Sequence, residues 1–125
     1  MQEVNAWLEQ AISDLEKAKV LFTAQKYDGA VVFSQQAAEK ALKAIYIFKE
    51  EKTPPKTHDL VDLCLKIKVP EKIFLASESL SGTYFSSRYP GAAPMIPVKF
   101  YTLEKAKKHL QEAEVILQWV REKTK

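Results

Sequence analysis

The stretch from Ala30 to Phe48, AVVFSQQAAEKALKAIYIF, constrains this chain more than any other. It is long enough for about five helical turns. It holds no proline or glycine and is apolar around most of its circumference. A helix with one apolar stripe lies on a surface, whereas one that is apolar all round is enclosed by neighbours. The chain must therefore supply helices to surround this one, and Ala37, Ala38, Ala41 and Ala44 let them approach closely. Its polar positions are few. Gln36, Lys40 and Lys43 recur at i, i+4 and i+7 and share a face, while Gln35 and Glu39 form a second short line.

The flanking segments read as the surrounding helices. Val4, Trp7, Leu8, Ala11, Ile12, Leu15, Ala18 and Phe22 make one helical stripe, which predicts a first helix from about Gln2 to Ala24. Gly29 within QKYDGA punctuates the chain before the central helix, Tyr27 to Glu50. Pro54 and Pro55 end that helix. Thr57 is a good N-cap for a third helix reaching about Lys68, with Asp59 in its first turn and Leu60, Leu63, Cys64 and Ile67 on one face. Pro70 opens a fourth helix that fades near Phe85. Thr102 caps the last, whose Leu103, Ala106, Leu110, Ala113, Leu117 and Val120 follow a 3,4,3,4,3 spacing, the seam of a bundle helix. There is no strand pattern, repeat or internal boundary. The expectation is a single all-α domain over residues 1–125, an up-and-down four-helix bundle with an additional short helix.

Composition removes several functional classes. The net charge of +3, with both signs spread along the chain, does not by itself mark a nucleic-acid binder. Cys64 is the only cysteine, so no intramolecular disulfide forms, and its apolar surroundings place it in the core. No apolar run reaches the ~18 residues of a membrane span. The opening MQEVNAWLEQ lacks the basic and apolar regions of a signal peptide, so the expectation is a cytoplasmic protein without membrane contact. The two histidines, His58 and His109, lie far apart and outside any HExxH or Cys/His cluster, so neither a metal nor another cofactor is expected. GxGxxG, P-loop and GxSxG motifs are absent.

One segment departs from the helical pattern. Gly82 to Pro97, GTYFSSRYPGAAPMIP, gathers three prolines, two glycines, two tyrosines and Arg88 within sixteen residues. Prolines stiffen a loop and lower the entropy cost of holding a guanidinium in place. Arginine suits bidentate phosphate contacts, and Tyr84, Phe85 or Tyr89 can stack on a base or on the arginine itself. Lys40 and Lys43, on an otherwise enclosed helix, suit a cleft that attracts phosphate, and His58 is a candidate for the same cleft. The plain alternatives are a solvated lysine face, a histidine bonded to a nearby carbonyl and an exposed loop arginine without a role.

YDGAVVFSQQAAEKALKAIY, PPKTHDLVDL, SSRYPG and the closing AEVILQWV, in this order, resemble the HEPN domain. The resemblance spans nearly the whole chain. It implies a four- or five-helix bundle that usually dimerises, a cleft linked to nucleotides and RNA, and a toxin-antitoxin partnership with a minimal nucleotidyltransferase. Gln36, Lys40, Lys43, His58, Asp59 and Tyr89 match positions of the branch that does not look catalytic. Active HEPN ribonucleases resemble one another in an arginine followed four to six residues later by histidine. Here Arg88 is followed at those positions by Ala92, Ala93 and Pro94, so the motif lacks its histidine.

Three readings stay open on these residues. The first is a dimeric nucleotide- or RNA-binding module whose ligand meets Arg88, Tyr89, Lys40, Lys43, Gln36 and His58, without enzymatic activity. The second is a metal-independent endoribonuclease using Arg88, with His58 supplying the missing base. The third is a purely structural interaction domain.

Overall fold

The computed structural model describes residues 1–125 and contains six helices and no strand. They are α1 Gln2–Thr23, α2 Tyr27–Glu50, α3 Leu60–Ile67, α4 Glu71–Ser81, α5 Pro97–Phe100 and α6 Leu103–Lys123. The α2 helix is the axis of the molecule and touches every other helix. Its buried positions cover most of its circumference, as its composition requires. Alanines bring the neighbours in. Ala11 and Ala18 of α1, Ala37, Ala38, Ala41 and Ala44 of α2, and Ala106 and Ala113 of α6 are all fully buried. Larger side chains, led by Leu42, Ile45, Leu60, Leu63, Leu80 and Ile116, fill the space between the helices. No helix is long and apolar enough to cross a membrane.

Three local features differ from the sequence reading. The break before α2 falls at Ala24–Lys26, where Gln25 adopts φ 64°, and not at Gly29. Gly29 lies inside the first turn of α2, and a Cβ there would come 3.3 Å from Leu21 Cδ1. Its missing side chain lets α1 and α2 close together. The N-cap of α3 is Asp59, not Thr57. Asp59 Oδ1 accepts from the backbone N–H groups of Val61 and Asp62, while Thr57 Oγ1 accepts only from the N–H of Asp59. Ser81 Oγ, at the end of α4, donates to Asp59 Oδ1 and accepts from the N–H of Leu60, so one cap joins two helices. The α6 seam is buried from Ala106 onward, but its first member, Leu103, stays half exposed beside the cap Thr102.

The segment after α4 is not a free loop. Backbone bonds from Thr83 to Leu80, Ser87 to Thr83, Arg88 to Phe85 and Tyr89 to Phe85 carry a succession of turns past the end of the helix. Arg88 therefore rides on a continuation of α4. The three prolines lie beyond it, and residues 90–95 make no backbone–backbone hydrogen bond. What holds Arg88 is the helical turn before it and not the proline-rich stretch after it.

Candidate functional site

The site is a chain of polar contacts that starts inside α2. Gln35, Glu39 and Lys43 stand at i, i+4 and i+8, one above another on one face. Gln35 is fully buried, and Glu39 and Lys43 nearly so. Gln35 Nε2 lies 3.3 Å from both Glu39 Oε1 and the carbonyl oxygen of His58. Lys43 Nζ donates to Glu39 Oε2 at 3.1 Å and lies 5.8 Å from the centre of the Trp7 ring. A buried ion pair is costly unless its remaining hydrogen-bonding groups are satisfied. Here Glu39 is met on both oxygens.

His58 enters from the connection between α2 and α3. Its Nδ1 lies 2.8 Å from Glu39 Oε1. A carboxylate only accepts, so Nδ1 carries the proton, and in the neutral ring Nε2 is left as an acceptor. The His58 side chain is 59% exposed, which opens Nε2 to solvent. Its ring stacks on Tyr84 with centroids 4.5 Å apart and planes 18° from parallel.

Arg88 closes the constellation. Its guanidinium carbon sits 4.0 Å from the Tyr84 ring centre. One terminal nitrogen donates to the carbonyl of Tyr84 at 2.9 Å, and the other to Gln35 Oε1 at 3.0 Å. Half-burial pulls the pKa of the guanidinium below its ordinary value, and the nearby Tyr84, Glu39 and Tyr89 oppose that shift. The two bonds use two of the five N–H groups, and the other three have no protein partner. The result is a cation fixed in direction by two hydrogen bonds and a stacking face, one ring away from a carboxylate-held imidazole. Tyr89 and Phe85, both exposed, flank it with ring centroids 6.0 Å apart.

The sequence-derived candidates divide into two groups. Arg88, Tyr89, His58 and Lys43 belong to this constellation. Lys40 and Gln36 belong to another, in which Lys40 Nζ bonds both Asp14 of α1 and Gln36 Oε1, the latter at 2.9 Å. Asp14 is 2% exposed and also accepts from Gln10 and pairs with Lys17. Lys43 lies about 60° from Lys40 around the helix but only about 40° from Glu39, at about 100° per residue. The nearer opposite charge claims it, so of the i, i+4, i+7 line only Gln36 and Lys40 bond each other, and Lys43 turns to Glu39. Gln35 and Glu39 are the residues the spacing argument undervalued. Their signal was three polar residues at i, i+4, i+8 on the most enclosed helix. The other histidine, His109, is buried against Glu112, with Nδ1 to Oε1 at 2.7 Å. No three or more His, Cys, Asp or Glu side chains cluster as metal ligands.

An all-helical bundle with an arginine turn docked on its central helix defines a class, and comparison with known proteins names it. The HEPN domain pattern matches residues 4–123, and the chain belongs to the HEPN domain family. Its fold is similar to that of TT1696 from Thermus thermophilus (TM-score 0.88, 34% identity, covering 98% of this chain and 99% of that one). It is also similar to ST0689, described as an archaeal HEPN homologue (TM-score 0.86, 32% identity, covering 100% of both). In sequence it is 29% identical to a protein of Methanocaldococcus jannaschii named "Putative toxin MJ1304", over 93% of this chain and 84% of that protein.

Proposed function

We propose that this protein is a toxin-like HEPN module that holds a phosphate of a nucleotide or an RNA on Arg88. The observation that carries this reading is the guanidinium itself, fixed on Tyr84 and Gln35 with three donors unused. A pre-oriented fork loses little entropy on meeting a phosphate. His58 stands beside it, and the exposed Phe85 and Tyr89 offer faces for a base. The name of the Methanocaldococcus jannaschii relative supports the toxin-like part. The module works as a homodimer with a minimal nucleotidyltransferase as its partner. Exposed apolar side chains at Met95, Ile96, Val98 and Leu103 support self-association. Calorimetric titration with ATP, GTP and a short single-stranded RNA tests the ligand. Wild type binds at least one of them and Arg88→Ala loses at least tenfold in affinity. Flat traces at millimolar ligand remove the reading. Light scattering of the purified chain tests the dimer, and co-purification with the product of an adjacent nucleotidyltransferase gene tests the partner.

A second reading, metal-independent RNA cleavage, is favoured by one specific contact, the Glu39–His58 pair. In this reading the pair takes the part of the missing motif histidine, with His58 supplied by the connection between α2 and α3. Neutral His58 Nε2 accepts the proton of a 2′-hydroxyl, and the freed oxygen attacks the adjacent phosphorus. The 5′-oxygen leaves and takes a proton from water, giving a 2′,3′-cyclic phosphate and a 5′-hydroxyl end. Arg88 stabilises the charge that builds on the phosphorane. Cleavage in EDTA that is abolished by His58→Ala and by Arg88→Ala supports it. No cleavage, or equal cleavage by all three proteins, rejects it and leaves binding alone.

A further inference from the structure

The stretch that follows the Arg88 turn does little to hold it. Residues 90–95, which follow it, make no backbone–backbone hydrogen bond and are almost all exposed. Apart from the Arg88–Gln35 bond, one polar contact ties this turn to the rest of the bundle beyond α4. It is the contact of Tyr101 hydroxyl with Ser86 Oγ, 2.6 Å apart. Ser86 Oγ also lies 3.4 Å from the carbonyl of Thr83, a longer contact, and either hydroxyl can be the donor between Ser86 and Tyr101.

Tyr101 is well placed for such a task. It sits at the C-terminal cap of α5, is 4% exposed, and packs in a small core with Val31 of α2 and Ala106 of α6. Val31 is one helical turn before Gln35, the residue that receives Arg88. The tyrosine ring thus rests on the same stretch of α2 that binds the guanidinium, and its hydroxyl reaches the turn two residues before the arginine.

We propose that Tyr101 is a positioning residue for Arg88, its hydroxyl bond to Ser86 setting the turn at the separation from α2 that the Arg88–Gln35 contact requires. This inference rests on Arg88 being the phosphate-binding group. It also has a readout that needs no ligand, because the chain contains only two arginines, Arg88 and Arg121. Tyr101→Phe removes the hydroxyl and keeps the ring, and Ser86→Ala removes the same bond from the other side. In nitrogen-15 spectra of each variant, the Arg88 Nε–H signal moves toward its free position and its heteronuclear NOE falls, while Arg121 is unchanged. The dissociation constant for a short single-stranded RNA rises about three- to tenfold, the range that one neutral hydrogen bond corresponds to. The double variant is no worse than either single one, and the effect vanishes in the Arg88→Ala background. A displaced Arg88 signal with no RNA binding by wild type upholds the positioning role and removes the ligand assignment. An Arg88 signal identical in wild type and both variants overturns the proposal.

Discussion

Arg88 and Lys43 show how one residue's neighbours decide its meaning. Each is a cation that a sequence displays without direction. Gln35 and Glu39 give them one, because a buried amide and a buried carboxylate must find partners or cost several kcal/mol. That Arg88 and His58 come together around Tyr84 was therefore readable, because the motifs beside them were distinctive. The place of Lys43 was less readable, where two helical phases about 100° apart competed for one side chain. The buried titratable groups lead to a prediction at this same scale. Burial pushes the Cys64 thiol above 9.0 and the Tyr101 hydroxyl above 10.0. The folded state then holds both protons where the unfolded chain has lost them. Stability is whole below about pH 9 and declines as pH rises through 9 and 10 toward the folded values. Thermal melts across this range fall in midpoint for wild type and fall less for Cys64→Ala. A flat profile to pH 11 contradicts the burial of both groups.

At the scale of elements, the long helices were legible because their hydrophobic period persists over many turns. The bounds of α2, Tyr27–Glu50, coincide with the sequence reading. The short features were not, because they depend on single contacts from distant parts of the chain. Thr57 and Asp59 are both good caps in isolation. Ser81, twenty-two residues further on, sides with Asp59 through a 3.1 Å hydrogen bond. The α5 helix is a single turn with Pro97 at its start, too short to show a period. Substitution separates the two cap candidates. Asp59→Ala loses the cap of α3 and its link to α4 and costs about 1–2 kcal/mol, whereas Thr57→Ala costs under about 0.5 kcal/mol. Urea denaturation of both variants checks this, and equal losses would return the cap to Thr57.

At the scale of the whole molecule, a polar band crosses the most apolar helix. On one side Asp14 joins α1 to α2 through Lys40 and Gln36. On the other, Gln35 and Glu39 join α2 to the α3 connection and to the turn beyond α4. The first cluster is closed on itself, whereas the second ends in free guanidinium N–H groups and an exposed imidazole. Breaking the first is a matter of stability. Asp14→Ala strands Lys40, which is only partly exposed, and costs about 3 kcal/mol, the low end for a buried pair. It should leave ligand binding unchanged in chemical denaturation and titration run side by side. Weakened binding with full stability would mean that the closed cluster also meets the ligand.

The most direct test uses the protein's own internal controls, two arginines and two histidines, one of each in the site. Wild type is titrated with a short single-stranded RNA while the Arg Nε–H and His ring signals are followed by NMR. Arg88 and His58 shift together and saturably, and Arg121 and His109 stay still. Shifts confined to Arg121 or His109, or none at all at millimolar RNA, would contradict the placement of a phosphate on this arginine.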